Sequence, residues 1–181
     1  MWTTLRWNIN PDKKTPITIE WSKITENAIF ILFDKSLLGF DSDILYISVY
    51  IQPEGSTWYE KLESHCTNGI TLFQEKLLEI LSDLTDVYAL CGGDFNARTG
   101  VQSDFVEDDI ILYIANQANS MWDFILDYFS LERSSADKTV NKFGRCLLDL
   151  CSVLNIHIMN GRCGLDANVG DYTLIGVNQC D

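Results

Sequence analysis

The stretch Gly92-Gly93-Asp94-Phe95-Asn96-Ala97-Arg98-Thr99-Gly100 sets a carboxylate and an amide two positions apart, directly after paired glycines. A carboxylate can orient a water and take its proton. An amide N–H can donate to a phosphate oxygen that gains charge in a transition state. If strand geometry continues through Phe95, Asp94 and Asn96 share one face and Phe95 anchors in the core. The same residue types also build ordinary glycine-rich turns, in which Asp and Asn bond to nearby backbone. Spacing alone favours the turn, since such turns are common.

The elements around this stretch read as strands interleaved with helices. Thr18-Ile19-Glu20-Trp21 alternates as an edge strand does, and Ala28 to Phe33 is an apolar run of strand length. Ile44 to Ile51 is the clearest strand: Leu45, Ile47, Val49 and Ile51 share one face, Tyr46, Ser48 and Tyr50 the other. Pro53 and Gly55 close it. A helix is predicted from Thr71 to Leu84, with Phe73, Leu77, Ile80, Leu81 and Leu84 on one stripe. Val87 to Cys91 reads as a short buried strand broken by Gly92-Gly93. Ile110 to Phe129 is read as partly helical. Asn141 caps a helix whose Phe143, Leu147, Leu150, Cys151 and Leu154 face inward. Asn155 to Met159 reads as a strand, and Asp171 to Ile175 begins a last one. Strands and helices in this order predict a mixed α/β fold.

Composition bounds the chemistry. A chain of 181 residues that is 46% hydrophobic and 22% charged supports one domain with a real core, 1–181. No apolar run reaches the length that spans a bilayer, so no membrane is expected. The N-terminus lacks the apolar core of a signal peptide, so an intracellular chain is the expectation. With that, the six cysteines read as reduced and mostly buried. None forms a Cys-x-x-Cys pair, and neither His65 nor His157 stands at zinc-ligand spacing from them. His157 alternates with Asn155 and Met159 and reads as structural. The net charge of −13 works against nucleic-acid binding, which usually uses a basic face. A local patch is still available from Arg133, Lys138, Lys142 and Arg145.

Four ordered motifs resemble one family. Gly93-Asp94-Phe95-Asn96 is similar to the Gly-Asp-Phe-Asn signature of the endonuclease/exonuclease/phosphatase superfamily. Its extension Ala97-Arg98-Thr99-Gly100 looks like the version carried by non-LTR (LINE-type) retrotransposon endonucleases. Upstream, Val49-Tyr50-Ile51-Gln52-Pro53, continued by Ser56 and Tyr59, resembles the family's Tyr-x-x-Pro strand. Downstream, Arg133-x-Ser135-x-Asp137, Asn141-x-x-Gly144, Leu147-Leu148-Asp149-Leu150-Cys151 and Asn160-Gly161-Arg162 follow the retroelement pattern, and Gly170-Asp171-Tyr172-Thr173 looks like its Gly-x-Phe/Tyr-Thr strand.

The resemblance implies a DNase I-like fold: a partial four-layer α/β sandwich, two mostly antiparallel sheets flanked by helices. It implies Mg²⁺-dependent hydrolysis of a DNA phosphodiester. Asp94 inherits the positioning or activation of the attacking water, Asn96 the contact with the scissile phosphate, and Tyr50 a phenol or phenolate acting on that phosphate. Without the resemblance, Tyr50 reads as a half-buried sheet tyrosine. Thr173 falls near the substrate backbone, and Arg98 and Arg162 flank candidate substrate-binding loops. Arg162 reads equally as an exposed arginine in a turn.

The resemblance also leaves gaps. The family's metal-binding Glu has no counterpart, since Asn8 and Glu20 lie in the wrong contexts, and its C-terminal Asp–His pair is unmatched. The expectation is therefore an incomplete domain, cut at both ends, with weak or no nicking activity, because such groups act as a unit. Exposed sheet edges would favour self-association, and a retroelement nuclease would work in the nucleus. The competing expectations are a non-catalytic DNA- or protein-binding remnant and, from the wider superfamily, a small-molecule phosphoesterase.

Overall fold

In the computed structural model, residues 19–24, 27–37, 39–61, 68–85, 87–105, 132–162 and 164–171 are described. The candidate helix between Ile110 and Phe129, the strand expected after Asp171, Thr173 and His65 lie outside them. The chain forms two units that meet at the Asn96–Ala97 bond.

The first unit is built on one four-stranded sheet in the order β1-β2-β3-β4: β1 Ile19–Ile24, β2 Ala28–Phe33, β3 Asp43–Tyr50 and β4 Val87–Asp94. β1–β2 and β2–β3 pair antiparallel. β3 and β4 run parallel, which requires a crossover, and helix α1, Gly69–Ser82, lies in that connection. Period-two alternation sets the faces. Ala28, Phe30 and Leu32 of β2 are buried beside Leu45, Ile47 and Val49 of β3, with Phe30 opposite Ile47. Phe73 of α1 stacks on Phe30 with centroids 6.3 Å apart, and Ile70, Leu77 and Ile80 are buried with it. Each such side chain contributes roughly 1.5–3 kcal/mol by leaving water.

Mixed α/β is thus the fold class, and the expected strand faces of β3 are observed. α1 begins two residues before the expected Thr71, because Asn68 caps it: the Asn68 side chain accepts from the Ile70 N–H at 3.0 Å. β4 departs further from expectation. It is neither fully buried nor broken at Gly92-Gly93, but runs on to Asp94, with Tyr88 39% and Leu90 55% exposed. It pairs with β3 alone among the described residues. Gly93 allows the continuation. It takes φ +138°, and a Cβ there would overlap the Val49 carbonyl oxygen of β3.

The second unit contains helix α2, Lys142–Leu154, capped as expected by Asn141, whose side chain accepts from the Gly144 N–H at 2.7 Å. Phe143, Leu147, Leu150 and Cys151 are buried as predicted, and Leu154 is half-buried. The strand expected over Asn155–Met159 is absent. Asn155 turns left-handed (φ 52°), the Ile156 N–H returns to the Cys151 carbonyl, and the Ile158 N–H is taken by Asp104. Those two donors serve a helix end and a side chain instead of a strand ladder. Two loops close the unit around Asp166, whose carboxylate accepts from the N–H groups of Gly161 (2.6 Å) and Asp171 (2.9 Å). Among the described residues no helix is long and apolar enough to cross a membrane.

Candidate functional site

Parallel pairing carries the site in the first unit. β3 and β4 end together, and Tyr50 is the register partner of Asp94. Register partners in a parallel pair point to the same face, so the phenol and the carboxylate stand side by side at the carboxyl ends of both strands. Tyr50 is 50% exposed, and Asp94 is exposed as well. Tyr46 and Tyr88 share that face and are also exposed, whereas Leu45, Ile47 and Val49 face α1. The carboxyl ends of parallel strands are where open α/β sheets commonly hold ligands.

Strand geometry stops at Asp94, and the next residues diverge. Phe95 does anchor in the core, edge-on to Phe73 at 5.9 Å. Asn96 does not follow Asp94 onto the exposed face. It takes φ 48°, its N–H donates to Asp94 Oδ1 at 2.8 Å, and its Nδ2 donates to the Ile51 carbonyl oxygen at 2.8 Å. The first bond is the local turn that the sequence allowed. The second reaches the strand exit of β3 and was not legible in the spacing.

Arg98 and Arg162 belong to the second unit, and both guanidinium groups are held by carboxylates. Arg98 is exposed and grips Asp137 through Nε (2.6 Å) and Nη2 (2.9 Å). Its hydrogen bonds, chiefly, hold the Asp137 carboxyl below the usual carboxylate range. The Arg98 backbone serves the helix cap: its N–H donates to Asn141 Oδ1, and its carbonyl accepts from the Asn141 N–H. Gly144 fits because a Cβ there would overlap that same carbonyl oxygen. Arg98, Asn141 and Gly144 thus pack together at the start of α2.

Arg162 is not the exposed turn arginine that the sequence suggested. It is 1% exposed, with two bonds of 2.6 Å to Asp104, which is itself fully buried. Its guanidinium also lies 5.8 Å from the Phe105 ring centroid. Burial raises the Asp104 carboxyl, but bonds from Arg162 and the Ile158 N–H outweigh it and leave the group below its usual range. Of the expected basic patch, Lys138, Lys142 and Arg145 are exposed, but Arg133 is buried, its guanidinium donating to the Gln102 carbonyl at 3.3 Å. Asp104 and Asp166 organise this unit and went unnoticed in the sequence, where neither belongs to a recognisable motif. His157 sits edge-on to Phe105, in keeping with its structural reading, and burial lowers its pKa. Cys151 is buried, while Cys91 and Cys146 are half-buried; burial pushes the Cys91 thiol up to about 12.

No protein-family model, curated protein or solved structure matches the chain. Among the described residues, no three His, Cys, Asp or Glu side chains converge in a way that would hold a metal ion. Asp94 would offer one carboxylate to such an ion.

Proposed function

We propose that the chain derives from a DNA endonuclease of retrotransposon type, built on a DNase I-like two-sheet sandwich, and that Tyr50 and Asp94 are the remains of its phosphodiester site. The observation that carries this reading is the β3–β4 register, which sets a phenol beside a carboxylate at the exposed ends of two parallel strands. Those two residues come from separate motifs of the same resemblance, 49–53 and 93–96.

In this reading Asp94 orients an attacking water and accepts its proton, and the Tyr50 hydroxyl donates to a phosphate oxygen as charge builds there. Magnesium is the metal the resemblance implies. When bound, it would polarise the phosphate. The metal-binding Glu of the resemblance has no counterpart, so in this reading activity of this chain is weak or absent. By the resemblance Thr173 would contact the substrate backbone, and Arg98 contacts DNA only by exchanging its Asp137 bond for a phosphate.

The acidic balance and the two carboxylate-bound arginines favour a second reading, a non-catalytic module that binds a protein partner. Supercoiled-plasmid nicking with Mg²⁺, with EDTA and in Asp94→Ala, run beside duplex-DNA anisotropy, separates the two. Mg²⁺-dependent nicking or DNA binding that falls in Asp94→Ala supports the nuclease reading. A folded chain that neither nicks nor binds DNA rules it out in favour of the second.

A further inference from the structure

Ile51 is the first residue beyond β3 and is fully buried. The exit of β4 engages both of its backbone polar groups. Its N–H donates to the Asp94 carbonyl oxygen at 2.8 Å, and its carbonyl accepts from Asn96 Nδ2 at 2.8 Å. One residue on, the Gln52 carbonyl accepts from the buried Tyr59 hydroxyl at 2.7 Å. Asn96 closes the loop on the other side by donating its N–H to Asp94 Oδ1.

We infer that Asn96 is a positioning residue whose side-chain amide fastens the exit of β4 to the exit of β3 and so holds Tyr50 beside Asp94. The residue type fits the task. Asn is among the few non-glycine residues that adopt a left-handed backbone readily, and it does so here at φ 48°. Its amide supplies the donor that a buried carbonyl needs, since leaving such an acceptor unmet is costly. An aspartate of the same shape would instead turn an oxygen toward the Ile51 carbonyl. The functional meaning of the brace rests on the reading of Tyr50 and Asp94 as a phosphodiester site. The brace itself is read without DNA.

The test is amide hydrogen exchange and ring and carboxyl resonances, followed by NMR on the full chain in wild type, Asn96→Gly and Asn96→Asp. Asn96→Gly keeps the left-handed backbone and removes the amide; Asn96→Asp keeps the shape and replaces the donor. Both variants are expected to exchange the Ile51 N–H about tenfold faster. Both should shift the Tyr50 ring and Asp94 carboxyl signals and leave Phe30 and Ile47 exchange unchanged. If one of the two variants loses its fold, the other is read alone for the same Ile51 exchange and Tyr50 and Asp94 shifts. Ile51 exchange and Tyr50 and Asp94 signals that match wild type would overturn the inference. If DNA binding also fell in those unshifted variants, Asn96 would be a direct phosphate contact instead. A confirmed brace in a chain whose DNA binding and nicking are absent would instead discard the phosphodiester reading alone.

Discussion

Arg162 and Asp104 face each other across two bonds of 2.6 Å, both closed off from solvent. Such a pair is asymmetric in its energetics. Taking two charges out of water is costly, and their attraction roughly repays that cost only while both are present.

Removing one partner is therefore expected to destabilise the second unit far more than removing both. Arg162→Ala or Asp104→Ala should each cost about 3–5 kcal/mol, whereas an apolar replacement of both, Arg162→Met with Asp104→Leu, should recover most of that loss. Urea unfolding of the three variants measures this. Single variants within about 1 kcal/mol of wild type would mean the pair contributes little.

Gly93 meets two demands at once, a φ of +138° and direct contact with the Val49 backbone. Gly93→Ala is expected to destabilise the first unit by more than about 1 kcal/mol and to loosen the β3–β4 pairing first. Amide exchange along β4, compared with that of β2, reports it. Unchanged protection at Cys91 and Asp94 would show that the sheet absorbs the methyl group.

His157 gives the chain a pH response near neutrality. Burial, above all, lowers its pKa below 6.5, so the unfolded chain takes up the proton first. The stability held by neutral His157 is complete above pH 6.5 and is lost as pH falls through the lowered folded value. The sequence has two histidines, so NMR titration of their ring protons, assigned with His157→Gln, follows the group directly. A folded-state midpoint at or above 6.5 would refute the argument.

Much of the first unit was legible because its signals are local. β3 alternates cleanly, and one register step would have exchanged buried Ile47 for exposed Tyr46. Asn141 announced α2 by residue type alone. Other features depend on partners far away in sequence. Nothing near Arg162 marks it as buried, because the acid that draws it inward is Asp104. The Asn155–Met159 stretch alternates as a strand does, yet its donors are claimed by the end of α2 and by Asp104. At the candidate site, the spacing of Asp94 and Asn96 suggested a shared face, and a left-handed residue undid it. Backbone handedness at an asparagine has no signature in spacing.

The crossover through α1 governs when the candidate site exists at all. β1, β2 and β3 meet through short reversals, while β4 joins them only after the chain has travelled out along the helix and back. Closing that longer path is the largest entropic demand in the sheet. Tyr50 and Asp94 thus become neighbours through the sheet's least local contact. A change that loosens Phe73 from Phe30 and Phe95 would part them while the β2–β3 hairpin still stood, so packing in the helix core sets how much of the time the pair is assembled.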